Sequence, residues 1–340
     1  MTDMHLNADQ TTDTISETSS GQGSGSGLIL RFVHGTGLIV LIYLSLYALY
    51  AVQQPKALTS YSIAALFNNT APLALAAAGQ AIIVISRGFD LSVAGVISIC
   101  NVVLAVWPME GPGGAALSVF ICLAIGTAVG AVNGYLVAVL KLQSIAATLA
   151  TMIICQGIAL VILKAPGGWV AEWISYEMTD RLWGVIPVSG LVLGAVLLVW
   201  FVLRRTSFGI SLYAIGADEP SAALSGINTV RVRFMAHVIA GCAYGVAGFM
   251  LSAQTATGNP TAGTPLLMLT FAAVALGGTS LAGGRGGVFA TMMGAATLTL
   301  LQKVLFSSGI SSFYTGVFQG FVLILAVVFS SFLIGMGDKK

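Results

Sequence analysis

From Gly37 to Ile334 the chain runs through one apolar stretch after another, parted mostly by short polar breaks. A helix needs roughly 20 apolar residues to cross the hydrocarbon core of a bilayer. The spans expected from the pattern are 37–53, 62–85, 91–108, 116–139, 145–163, 184–203, 233–252, 266–281, 287–306 and 314–334. Only 8% of the 340 residues are Asp, Glu, Lys or Arg, while 57% are hydrophobic. A soluble domain needs about 25% charged residues to cover its surface, so lipid has to be the solvent here. The residue-by-residue alternation of a membrane barrel is missing. The expected fold is an all-α integral membrane bundle of about ten transmembrane helices.

Basic residues in short loops orient such a bundle, because they favour the cytoplasmic side. With the N-terminus inside, Arg31, Arg87, Lys141, Arg204, Arg205, Arg231, Arg233, Arg285, Lys339 and Lys340 fall on the inner side. Lys56, Lys164, Arg181 and Lys303 fall outside, a bias of ten against four that places both termini in the cytoplasm. Residues 1–27, most of the expected tail at 1–30, are small and polar, with Asp3, Asp9, Asp13 and Glu17 but no Lys or Arg. That composition excludes a secretory signal peptide and predicts a disordered cytoplasmic tail, leaving 31–340 as the transmembrane domain. The loop at 86–90 is either cytoplasmic or a break in a helix within the bilayer. The eighth span is close to the lower limit of about 17 residues.

Small residues recur at helix-packing intervals, Gly126, Gly130 and Gly134 in one span and Gly241 with Gly245 in another. This spacing lets helix backbones approach closely. Ser86-Arg87-Gly88 and Gly284-Arg285-Gly286 hint at a diverged internal repeat, a common device in transporters. Cys100, Cys122, Cys155 and Cys242 stand singly in apolar stretches, as small buried hydrophobes do. No H-E-x-x-H, G-x-S-x-G or paired-carboxylate pattern occurs, so neither an enzyme nor a metal site is expected. The glycine-rich Gly283–Gly287 lacks the Lys-Ser/Thr of a phosphate-binding loop and follows an apolar span rather than a strand. With Gly277 and Gly278 it reads as a tight structural turn around Arg285.

The longest inner loop, 204–233, carries the most information. Asp218-Glu219-Pro220 has the form of a helix start, an acidic cap followed by proline in the first turn. Ala222, Ala223, Leu224 and Ser225 continue the helix, and Gly226 can stop it in a left-handed conformation. Two readings stand for this short helix: a docking knob for a cytoplasmic partner, or an ordinary interfacial loop helix. Asp90 is an ionisable group beside a span, and such groups are functional candidates by default. It could cap the following helix, with Arg87 close enough to pair, or take part in gating. Uncharged polar groups suited to a hydroxylated solute are Asn68, Asn69, Gln80, Asn101, Asn133, Gln156, Gln302 and Gln319. Asn68, Asn69, Asp90 and Asn133 are the candidates for a translocation path, with the adjacent Asn68-Asn69 pair foremost. Each of the amides could instead be an interhelical hydrogen bond, worth about 0.6 kcal/mol.

Five blocks of sequence, in order, resemble the permeases of ribose-type ABC sugar importers, within the branched-chain amino acid/sugar permease family. Arg87-Gly88-Phe89-Asp90-Leu91-Ser92-Val93 is similar to that family's GGIDLSVG, and 141–152 (KLQSIAATLATM) to its KLPPFIATLGTM. Thr206-Ser207-Phe208-Gly209 leads to Tyr213-Ala214-Ile215-Gly216 and then to Leu224-Ser225-Gly226-Ile227. The most specific block is 272–286, AAVALGGTSLAGGRG. Two departures stand out. Pro220-Ser221-Ala222 replaces the family's Glu-Ala-Ala, with Ala223 where a basic or polar residue is usual. Leu267 and Leu269 stand where the family typically carries Glu and Asp, which puts ribose itself in doubt as the solute.

The resemblance implies the permease of a binding-protein-dependent ABC importer, in the bacterial inner membrane, moving a monosaccharide or related polyol inward. It implies that ATP and Mg are bound by separate ATPase subunits, leaving this chain without a cofactor. It also implies a second permease subunit and a periplasmic solute-binding protein, and no nucleic acid. The 217–227 helix would be the segment the ATPase grips, and the 277–286 turn would lie beside it. The competing class is an ion-coupled secondary transporter. That mechanism normally uses intramembrane carboxylates or histidine relays, and the spans offer little beyond Asp90 and His237.

Overall fold

A computed structural model describes residues 36–309 and, past them, residues 314, 316, 317, 320, 321 and 324. The expected tail at 1–30, Arg31, Gln319, Lys339, Lys340 and most of the tenth expected span lie outside the described residues. The chain is helical almost throughout. The first half holds α1 (Thr36–Gln53), α2 (Ser60–Ile85), α3 (Val93–Val106), α4 (Gly111–Gly134) and α5 (Ser144–Ile162). A π-helical turn, Tyr135–Val139, prolongs α4. A connecting segment follows, with the short α6 (Glu172–Glu177) and a small antiparallel hairpin of β1 (Arg181–Leu182) and β2 (Ile186–Pro187). The second half holds α7 (Val188–Leu203), α8 (Ser207–Ala217), α9 (Glu219–Leu224), α10 (Thr229–Thr255), α11 (Thr264–Leu276) and α12 (Val288–Ser307).

Among the described residues, five helices are long and apolar enough to cross a membrane alone: α2, α4 with its π turn, α5, α10 and α12. The pair α7 and α8, bent by 79°, gives a sixth at most. The first nine expected spans each meet a helix, but α1, α3 and α11 are shorter than a full crossing, so the count of about ten is not confirmed among the described residues. The 14 residues of α3 and 13 of α11 give lengths of only about 21 and 20 Å at 1.5 Å per residue, against a core of roughly 30 Å.

Each of these two half-length helices is preceded by a non-helical run, 86–92 before α3 and 256–263 before α11. In both runs, side chains and backbone from distant parts of the chain bond the non-helical backbone groups. Ser144 Oγ accepts from Phe89 N at 3.2 Å and Thr148 Oγ1 from Leu91 N at 3.1 Å. On the other run, Asn101 donates to Thr257 O at 3.1 Å and accepts from Asn259 N at 2.6 Å. Gly258 pairs with Gly167 through two backbone bonds of 2.9 and 3.0 Å. The starts of α3 and α11 meet, with Gly263 N donating to Ser98 Oγ at 3.1 Å and Gly263 packed on the Ala94 carbonyl too closely to admit a Cβ.

The order long helix, irregular run, half-length helix, long helix thus occurs twice, as α2–α3–α4 and as α10–α11–α12, running in opposite directions. The packing follows the same rule: α10 lies on α3 and α4, and α2 lies on α11 and α12. An internal repeat is present, but it pairs the second expected span with the seventh. The resemblance of Ser86–Gly88 to Gly284–Gly286 joins non-equivalent places, since one follows α2 and the other precedes α12.

The two glycine series face each other. Gly126 and Gly241 each sit against the other's carbonyl, Gly130 against His237 O and Gly245 against Cys122 O, leaving no room for a Cβ at any of them. At Gly134 an added Cβ would stand 2.9 Å from Phe234 O. The α4–α10 crossing is therefore a backbone-to-backbone contact along about three turns. The four cysteines are free thiols, three of them buried.

Candidate coupling surface and cavity

The 204–233 loop folds as α8, then α9, then the first turn of α10. Arg204 and Arg205 cover the ring of Phe201 at the bend, 5.5 and 3.9 Å from its centroid. The six residues of α9 start as the sequence suggests, with Asp218 extended and Pro220 in the first turn. The Asp218 carboxylate accepts from the Ser221 hydroxyl rather than from a backbone N–H. Gly226 ends the helix at φ +83°, where its N–H donates to Ala223 O and Ile227 N donates to Ala222 O. A left-handed residue there costs glycine nothing. Leu224 is 91% exposed at the tip, and Pro220, Ala223, Ser225 and Gly226 are exposed around it. Ala222 is buried and Glu219 binds Arg233 of α10 at 2.7 Å. Those two residues seat α9 on the protein, while the others face outward.

Beneath α9 lies the glycine turn. Gly284 N donates to Ile85 O, the last carbonyl region of α2, at 2.9 Å. Its φ is +71° and an added Cβ would stand 2.8 Å from Ala217 N. Gly216 packs on the same Ile85 carbonyl, and Gly283 lies beside Gly216 O and Arg87. Gly277 closes on Ala290 and Gly278 and Gly286 are left-handed. Tyr213 donates to Gly286 O at 2.8 Å. Burial holds its phenol above the ordinary range, with Arg204 pulling the other way, so it is a neutral donor. Arg285 O accepts from Ser280 N at 3.1 Å.

Arg87 ties these pieces together. Its Nε donates to Ala282 O at 2.9 Å and its Nη2 to Ala217 O at 2.6 Å. One guanidinium therefore joins the end of α2, the glycine turn and the last residue of α8, two positions before α9 begins. The expected pairing of Arg87 with Asp90 does not form. Arg87 has φ +61°, and that left-handed turn sends the two side chains in opposite directions.

Asp90 is wholly buried. Its Oδ1 accepts from Ser92 N at 2.9 Å and from Ser92 Oγ at 2.6 Å, which caps the run leading into α3. Asn133 donates to Ser92 Oγ at 2.8 Å, and Thr151 donates to Asn133 Oδ1 at 2.8 Å. In its better-satisfied amide orientation Gln80 donates to Asp90 O at 2.9 Å and accepts from Asp90 N at 3.3 Å, with Tyr244 alongside. His237 on α10 is tied through Nδ1 to Arg233 O at 2.9 Å and forms no ion pair with Asp90. Asp90 and Asn133 thus meet in a closed, packed cluster.

Asn68 and Asn69 lie elsewhere, toward the opposite end of α2. Eleven residues separate Asn69 from Gln80, about 16 Å along the helix. Asn68 donates to Thr179 O at 2.7 Å and accepts from Ser189 Oγ at 2.5 Å, so it fastens the connecting segment. Asn69 lines a cavity of about 790 Å³ bounded by α1, α2, α10, α11 and α12. Gln302, Gln254, Lys303 and Leu269 also line it, and Gln254 donates to Asn69 Oδ1 at 2.5 Å. Of the four translocation candidates only Asn69 reaches this space. Gln254 and Lys303 were not picked out by the sequence as site residues, because Asn69, Gln254 and Lys303 reach the wall from three helices distant in sequence, α2, α10 and α12. Gln156 bonds Thr264 at 2.9 Å and Asn101 holds the run before α11, both as interhelical ties.

A family model described as "Branched-chain amino acid transport system / permease component" matches residues 62–327. The ribose import permease protein of Escherichia coli (strain K12) is 32% identical over 296 residues, covering 85% of this chain and 91% of that protein. The ribose import permease protein of Bacillus subtilis (strain 168) is 33% identical over 296 residues, covering 86% and 90%. The autoinducer 2 import system permease protein of Yersinia enterocolitica is 29% identical over 297 residues, covering 86% and 81%. These relatives are named as transport permeases, not enzymes. No solved structure matches.

Proposed function

We propose a transport mechanism for this chain on one premise: it belongs to the branched-chain amino acid transport system / permease component family. It is a multi-pass membrane permease subunit of the ABC importer kind. On our reading it passes a sugar or related polyol inward, and separate ATPase subunits supply the energy. The relatives named for the import of ribose and of autoinducer 2 support a small polar solute. The cavity amides Asn69, Gln254 and Gln302 suit hydroxyl groups.

The observation that carries the coupling role is the bonded path from the exposed α9 to α2. Leu224 projects from α9, Ala217 precedes α9, and Arg87 links Ala217 to the end of α2. α2 lines the cavity at Asn69, Pro72 and Leu73. A partner that pushes on α9 would move the wall of the cavity. ATP can shift the permease only if the ATPase grips the two states of this surface differently. The basic residues gathered at this end, with Arg87, Arg204, Arg205, Arg231, Arg233 and Arg285 among them, argue that it faces the cytoplasm. In this scheme both termini are cytoplasmic, 31–340 is one permease domain behind a tail at 1–30, and two permease subunits enclose the path. A binding protein delivers the solute to the other side.

Leu224→Cys tests the contact. Co-expressed with its ATPase, the chain should form a cross-linked product through that thiol, and ATP should change the yield. Absence of the product, together with proton-driven uptake by the chain alone, would sink the proposal in favour of a secondary transporter. A second outcome is expected from Gly226→Pro. Proline fixes φ near −65° and has no N–H, while this position needs φ +83° and a donor to Ala223 O. ATP-driven uptake should fall at least tenfold with membrane insertion unchanged; full uptake would count against α9 as the coupling element.

A further inference from the structure

The cavity between α1, α2, α10, α11 and α12 has one charged group in its wall, Lys303, and among the described residues no carboxylate. Lys303 sits near the end of α12 and is half-buried. No hydrogen bond or ion pair holds its ammonium among the described residues. The ammonium is open to the cavity and has no protein partner among the described residues, so an anion in the cavity gains a charge-assisted bond there. Around it the wall supplies the amides of Asn69, Gln254 and Gln302 and the hydroxyl of Thr299, all capable of bonding sugar hydroxyls. On the facing side Leu269 offers only an apolar surface. The volume of about 790 Å³ lies within the range of small-molecule sites, about 300–1,000 Å³.

We propose that this cavity receives a polyhydroxylated solute bearing one carboxylate, a sugar acid, in preference to the neutral sugar, with Lys303 holding the carboxylate. The inference rests on the reading of the chain as a permease for a sugar-like solute and adds the charge of that solute. The plainer role for Lys303 is a side chain whose stem covers apolar wall while its head reaches water. That role predicts no preference between an acid and its neutral counterpart, so the two are separable.

The test uses the full chain in lipid nanodiscs with Ser307→Cys, one helical turn beyond Lys303 and also in the cavity wall. Labelling by an anionic and a cationic methanethiosulfonate reagent is compared, with the native cysteines measured in parallel. The anionic reagent should react faster, and Lys303→Met should lower the anion-to-cation rate ratio about tenfold, the effect of one charge a few ångströms away. Lys303→Arg should preserve the ratio. Ribonate should then slow the labelling more than ribose does, and Lys303→Met should erase the difference. An unchanged ratio in Lys303→Met overturns the proposal, as does equal or better protection by ribose, or protection by neither probe. No ATPase takes part, so the result is independent of the Leu224 cross-link. A failed cross-link with ribonate protection intact removes the coupling scheme alone; the reverse removes the sugar-acid preference alone.

Discussion

Gly241→Leu is expected to leave almost no folded permease in the membrane. Gly241 and Gly126 lie carbonyl against backbone at the α4–α10 crossing, and neither has space for a Cβ. In lipid no hydrophobic drive brings helices together, so close packing of backbones carries the association. A leucine would force the pair apart over the whole series of Gly126, Gly130, Gly241 and Gly245. Overpacking a tight core costs about 1–3 kcal/mol even where neighbours are flexible side chains, and here the neighbours are main chain. The disturbance would spread, because α10 also packs on α2 and α3. Gly241→Ala should be milder but still destabilising. Gly157→Leu, at an open position on α5, is the control and should be silent. Yield of monodisperse protein and thermal midpoint in detergent measure all three. Normal yield for Gly241→Leu would mean that this crossing does not hold the bundle together.

Those glycines were legible in the sequence as a packing signal, and the structure adds only which series meets which. Helix positions were legible for the same reason, since apolar length is what a span needs. The half-length α3 and α11 were not. Leu91 and Leu281 raise hydropathy just as helical residues do, so the expected spans 91–108 and 266–281 ran past the ends of α3 and α11. What keeps the runs before α3 and α11 non-helical is distant in sequence: Ser144 and Thr148 bond the first, and Asn101 bonds the second. An amide in a span looks alike whether it lines a path or ties two segments, so Asn68 and Asn101 could not be told from Asn69. The cavity was hidden because its polar groups come from helices far apart along the chain. Arg87 and Asp90, three residues apart, looked like an ion pair only while the backbone between them was taken as ordinary; the left-handed Arg87 separates them.

Arg87 is also where the largest functional effect is expected. Arg87→Ala should cut ATP-driven uptake more than tenfold while leaving the amount of inserted protein near normal. The guanidinium makes two hydrogen bonds to carbonyls, Ala217 O and Ala282 O, and a charge-assisted bond is worth about 1.5–3 kcal/mol where it is not solvated away. Its exposure places the effect toward the low end of that range for stability. The larger loss is mechanical, since the bond to Ala217, the end of α8 just before α9, ties that segment to the end of α2. A second substitution separates the bonds from the backbone. Arg87 holds φ +61°, a conformation that costs a non-glycine residue about 1 kcal/mol or more and glycine nothing. Arg87→Gly therefore relieves strain while deleting both bonds. If the bonds matter, Arg87→Gly should be as uncoupled as Arg87→Ala yet more stable. Arg87→Lys keeps the charge but lacks the planar fork needed to reach two carbonyls together, and it should recover only part of the uptake. The measurement is uptake set against ATP hydrolysis by the assembled importer: uncoupling shows as hydrolysis that persists without transport. Wild-type uptake in Arg87→Gly would mean that α9 reaches the cavity by another route, through Glu219 and Arg233 into α10.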